Sequence, residues 1–217
     1  INIGKMKDLN ITKQLFFLLL LIIGGSLKAQ YHDESIFTPY KTNIVSYNGY
    51  SFPISPKSNE WKDKNHSQRI AALQLPNDTL QNISTSRLLE TCLYYPLNID
   101  AFMNDDVVVG FKKIKSQFNG YEELFGRDDF SQVLMELYSS RDVNFIEKID
   151  NDYDRGQYSF DYRIMELMMN EILDEASNQR SNQIVELVSE KQSQRENLEE
   201  YYGGNNIADR IINKSNQ

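Results

Sequence analysis

The stretch STSRLLETCLYYPL, residues 84–97, decides the fold class. Leu88, Leu89, Cys92, Leu93 and Tyr95 recur at spacings of three and four, which gathers them on one face of a helix. Ser84 stands just ahead of this period, where its hydroxyl can accept a free amide of the first turn. Pro96 stands where a missing N–H and a ring clash stop the helix. The spacing therefore predicts a short amphipathic helix from Thr85 to Tyr95, bounded by a cap and a proline.

The same grammar runs outward from this stretch. A helix is predicted from Ser58, through Ile70, Ala71 and Leu73, to the stop at Pro76, followed by a turn over 77–82. Downstream, short helices are predicted at Ile99–Met103, Val107–Phe118 and Tyr121–Phe125. Asp128 or Asp129 is placed to cap a helix carrying Phe130, Val133, Leu134 and Leu137, and Asp142 to cap one carrying Phe145, Ile146 and Ile149. Phe160, Ile164, Leu167, Met168 and Ile172 mark a longer helix. Ile184, Leu187, Val188, Leu198 and Tyr201 mark another, polar over most of its surface, with a weak point between the two at Ser177-Asn178-Gln179. After Gly203-Gly204 the tail, 203–217, is expected to fray.

Many short helices punctuated by proline define an all-α chain. Two arrangements fit: stacked short helix pairs forming an α-α superhelix of the HEAT or armadillo kind, or an irregular helical bundle. Ser86-Arg87-Leu88-Leu89-Glu90 returns loosely as Ser131-Gln132-Val133-Leu134-Met135-Glu136, an offset of 45 residues that matches such repeats. The helical domain is placed at 58–202.

Upstream the chain changes character. KQLFFLLLLIIGGSLKAQ, residues 13–30, has an unbroken apolar run only from Leu15 to Ile23. A bilayer-spanning helix needs about 20 apolar residues. Lys5, Lys7 and Lys13 precede the run, Gly24-Gly25 end it, and Ala29 follows at the position of a small-residue cleavage site. Residues 1–29 are thus read as a secretory signal peptide with Met6 as its true start, and the mature chain as exported, periplasmic or extracellular, with no integral membrane segment. Residues 30–57 are read as an extended arm or a small hairpin. Asn48-Gly49, between the β-prone segments 44–47 and 50–52, carries the hairpin alternative.

The full chain has 217 residues and a formal charge of −8. Without residues 1–29 it keeps 19 Lys and Arg against 30 Asp and Glu, a charge of −11. Such a surface repels phosphate backbones, and no basic stripe with interleaved aromatics counters it, so nucleic acid is excluded as a partner class. Cys92 is the sole cysteine, so no intrachain disulfide forms, and its apolar setting marks it as a buried thiol.

At AALQLP (71–76), STSRLLETCLYYPL (84–97) and FNGYEEL (118–124), the chain resembles a set of uncharacterised exported α-helical bacterial proteins. The resemblance spans about residues 58–140. It implies an α-helical body, and it transfers neither an activity nor a catalytic residue.

Chemistry-bearing residues are sparse. Asp150-Asn151-Asp152-Tyr153-Asp154-Arg155-Gly156 begins as an EF-hand calcium loop does, with Asp150, Asp152 and Asp154 at positions 1, 3 and 5 and Asp161 at position 12. It departs from that pattern at Arg155, where the sharp turn wants glycine, and at Asp161, where a longer Glu is usual. The alternative is a solvated acidic turn between two helices. No other metal or cofactor is indicated. Neither His32 nor His66 has a Gly-x-Ser-x-Gly or Cys-with-His context to make a triad, and the acid pairs Glu122-Glu123, Asp128-Asp129 and Glu199-Glu200 have no separation readable from sequence. The leading expectation is a non-enzymatic binding or scaffold module with a protein or envelope partner. Its competitor is a hydrolase acting on an extracellular polymer.

Overall fold

The computed structural model describes residues 49–174, 176–204 and 206–214. The expected signal segment 1–29, the expected start at Met6, residues 30–48 with the first strand of the expected hairpin, and His32 lie outside them. Every regular element among the described residues is helical. In chain order these are α1 (Asn59–Lys62), α2 (His66–Ala72), α3 (Asn77–Asn82), α4 (Thr85–Leu93), a 3₁₀ turn (Asn98–Met103), α5 (Val107–Gln117), α6 (Asn119–Phe125) and α7 (Phe130–Ser140). A second 3₁₀ turn (Val143–Lys148) leads into α8 (Asp152–Leu173) and α9 (Asn178–Arg195), and a third (Glu196–Leu198) precedes α10 (Glu199–Tyr202) and α11 (Asn206–Lys214).

The deciding stretch folds as α4. Ser84 Oγ accepts from the Arg87 amide, and Leu88, Leu89 and Cys92 are completely buried. The helix ends at Leu93, two residues before its predicted end. Tyr94 and Tyr95 therefore leave it in different directions: Tyr94 donates to Asp161, and Tyr95 stacks on Phe118 with ring centroids 4.1 Å apart. Phe52 meets both Tyr95 and Phe118, and the Tyr50 amide donates to Thr91 Oγ1 at 2.8 Å, so residues 50–54 lie along the helical body.

Several boundaries differ from the sequence expectation. The Ser58–Pro76 helix is two helices, because Asn65 restarts the chain with a full capping box: its side chain accepts from the Gln68 amide while Gln68 returns the bond. Residues 77–82, expected as a turn, form α3. Asp129 occupies the cap position of α7, yet its carboxylate accepts the Thr85 hydroxyl at 2.8 Å and makes no cap bond. At Gly110 the carbonyl of Ala101 packs where a Cβ would sit, so only glycine lets the first 3₁₀ turn lie against α5.

Packing is organised around α8, at 22 residues the longest helix among the described residues. Helices α4, α7, α9, α10 and α11 and the second 3₁₀ turn all rest on it. A solenoid repeat touches only its neighbours in sequence. This hub arrangement is instead that of the irregular bundle. From Ile164 to Asn170 every residue of α8 is buried, which surrounds the helix with protein on all sides. Among the described residues no helix is long and apolar enough to cross a membrane.

The tail departs most from expectation. Residues 206–214 form α11, with Ile207, Ala208 and Ile211 buried against α8 and α9. Gly203, at φ 65°, makes the turn that a side chain would resist. Arg210 then grips Asp106 through two bonds of 2.9 and 3.0 Å, and Lys214 donates to the Asn170 carbonyl. Ile211→Ala is expected to cost about 2–5 kcal/mol in urea unfolding, as other buried isoleucine truncations do. A frayed tail would show no change.

Candidate functional site

The four acids of the expected calcium loop are not brought together. Asp150 precedes α8, and Asn151 is its N-cap, accepting from the Asp154 amide at 2.9 Å and donating to Asp154 Oδ2 at 2.7 Å. Asp152 is the first helical residue and pairs with Arg155 at 3.1 Å. Asp161 lies nine residues further along, about 13 Å at the helical rise, and is completely buried. The run is a helix start whose acids complement the dipole. Among the described residues no group of three or more His, Cys, Asp and Glu side chains is placed to hold a metal ion. His66 stands exposed, 3.6 Å from Asp100, and Glu123 pairs with Arg127.

Asp161 belongs to a different constellation. Its carboxylate accepts from Arg141 at 2.9 Å, Gln157 at 3.0 Å and Tyr94 at 3.1 Å. One and a half turns along the same helix, Glu166 accepts from Arg195 at 2.5 Å and Tyr138 at 2.7 Å. Tyr162 and Lys191 both donate to the Arg141 carbonyl, which ties α8 and α9 to the end of α7. Burial pushes the Asp161 carboxyl above the ordinary carboxylate range, while Arg141 and the two other donors pull against that. Burial alone would make Arg141 easier to deprotonate, but the charge and hydrogen bond of Asp161, together with Tyr94 and Tyr158, outweigh it and keep the guanidinium cationic. Sequence spacing could not reveal this network, since residues 94, 141, 161 and 195 share no local period.

Among the described residues several concavities open to solvent, and two have walls that bear on function. The first is an apolar groove of about 390 Å³ between the end of α4 and the start of α8, walled by Leu93, Pro96, Ile99, Tyr153 and Phe160. Ile99 and Tyr153 are more than half exposed. Gly156 forms part of the wall, and a Cβ built there meets nothing within 4 Å. The second is a polar cleft of about 780 Å³ lined by Lys112 and Lys115 of α5, Arg127, Ser131 of α7, Glu171 of α8, and Ser177 and Arg180 at the start of α9. Neither was legible in the sequence, because each joins segments far apart in the chain.

Comparison with protein-family models, with curated proteins and with solved structures gave no match.

Removing one partner of a buried ion pair leaves the other charge uncompensated. Asp161→Ala is thus expected to destabilise the chain by about 3–5 kcal/mol in urea unfolding, and the Asp161→Leu/Arg141→Met double variant by clearly less. Equal losses in the two would show that the pair carries no coupling. Burial also pushes the Cys92 thiol well up, so at pH 8 the folded protein should resist iodoacetamide and become labelled only in denaturant.

Proposed function

We propose that the chain is an exported, non-enzymatic binding module of the cell envelope, and that the apolar groove takes an extended polypeptide segment presenting an aromatic or proline side chain. Export rests on the lysine-flanked, short apolar run of residues 13–30 and its Ala29 exit. The observation that carries the binding reading is Gly156. Glycine inside a helix costs about 1 kcal/mol relative to alanine, and it persists where a close approach needs the space. Here nothing among the described residues fills that space, and the surrounding wall is aromatic and proline-rich, as in grooves that take extended peptides.

A hydrolase would need two carboxylates about 5–10 Å apart across a cleft. The groove wall holds one, Asp152, whose side chain is fully exposed and paired with Arg155. Asp161 is engaged by Arg141, Gln157 and Tyr94. These commitments favour binding over acid–base chemistry.

Peptide display against the full chain tests the reading. Selected peptides should be enriched in an aromatic or proline anchor, and Gly156→Leu should abolish their binding by filling the groove. The same variant should unfold at equal or higher urea, because leucine favours the helix by about 0.8 kcal/mol over glycine. Peptides that bind Gly156→Leu as well as the parent chain, or a selection that yields none, would overturn the proposal.

A further inference from the structure

The polar cleft carries an inference independent of the groove. In a chain of formal charge −8, four cationic side chains line one concavity. Two of the four charges are offset by contacts that lead away from the opening or beneath it. Arg127 pairs with Glu123 at 3.0 Å and donates to the carbonyls of Leu80 and Ile83. Lys115 lies 2.6 Å from Glu171, with its ammonium over the Phe125 ring. Asp174, on the same wall, is held by Lys214 at 2.8 Å.

Two charges remain. Lys112 reaches only the already shared Glu171, at 3.6 Å, and is more than half exposed. Arg180 bonds Ser131, and no carboxylate pairs with it among the described residues. Arg180 also sits in the first turn of an 18-residue helix, whose N-terminal end at Ser177 forms part of the cleft wall. Ser177 Oγ caps the Arg180 amide, and the positive end of the helix dipole favours an anion beside it.

Glu171 supplies the second observation. It is more than nine-tenths buried and lines the cleft, yet its Oε1 accepts no hydrogen bond. A buried carboxylate oxygen without a donor costs free energy. Lys112, on a long flexible stem, is what covers it. An anion that draws the Lys112 ammonium outward would uncover this oxygen, and a hydroxyl on the same ligand could then bond to it.

We propose that this cleft binds a phosphate monoester whose esterified group carries a hydroxyl. The phosphate lies between Lys112, Arg180 and the start of α9, and the hydroxyl donates to Glu171. A phosphate monoester is close to a dianion at neutral pH, which suits Lys112, which only shares Glu171 with Lys115, and Arg180, which has no carboxylate partner among the described residues. Arg180 can grip two of its oxygens through a planar fork, and Lys112 acts as a point charge.

Calorimetric titration of the full chain at low ionic strength, with inorganic phosphate and with glycerol 3-phosphate as probes, tests the proposal. Both should bind, and glycerol 3-phosphate more tightly. Lys112→Gln/Arg180→Gln should weaken both by about tenfold to a hundredfold or more, as expected for charge-assisted bonds. Glu171→Gln should erase the preference for glycerol 3-phosphate while inorganic phosphate still binds. The double variant should still melt cooperatively without ligand, somewhat below the parent chain because Lys112 no longer covers Glu171, so a loss of binding is distinguishable from a loss of folding. No heat with either probe at millimolar concentration, equal affinity for the two probes, or binding that survives the double variant would overturn the proposal.

Discussion

The ion pair between Asp161 and Arg141 is the constraint on which the rest of the structure depends. Bringing both charges out of water costs several kcal/mol each, and that cost is recovered only where the geometry is good and the remaining lone pairs are bonded. Tyr94 and Gln157 complete the Asp161 shell, and Tyr162 and Lys191 take up the Arg141 carbonyl. These partners come from four separate parts of the chain, so the network forms only when α4, the end of α7, α8 and α9 are in register. A rotation of α8 by one residue would leave Asp161 facing apolar neighbours. Hydrophobic burial alone would tolerate such slippage, because Ile164 to Asn170 is buried on every side.

This use of the acids determines what the surface can do. Asp161 and Glu166 are each clasped by an arginine and a tyrosine in the core. The open concavities are left with other material. One has aromatic and proline walls and a bare stretch of helix at Gly156, and the other has a surplus of cations. On the reading proposed above, both serve recognition. On that reading, the packed hub beneath them would supply the preorganisation that lowers the entropy cost of binding.

The helices were legible in the sequence where local physics decides them. Ser84, Pro96 and the Leu88-to-Leu93 face located α4 within two residues, and the apolar period from Phe160 to Ile172 found the second half of α8. The acid run of residues 150–154 was misplaced as an interhelical loop because alternating Asp residues suit a turn as well as a first helical turn. Asn151 as N-cap decides for the helix. The tail was read as frayed because Gly203-Gly204 looks like an end. Ile207, Ala208 and Ile211 form a buried face whose value appears only once α8 and α9 are beside it. The clasp and both concavities were invisible for the same reason: each is assembled across tens of residues with no shared period.

Native-state hydrogen exchange followed residue by residue tests the central claim, that α8 and its buried ion pairs form the last structure to open. The amides of Asp161 to Asn170 should exchange only through global unfolding, with an opening free energy equal to that from urea denaturation. Amides of α1 and α2 should exchange through smaller, local openings. Exchange in α8 at a lower free energy than in α4, while the rest of the bundle stayed closed, would contradict the account.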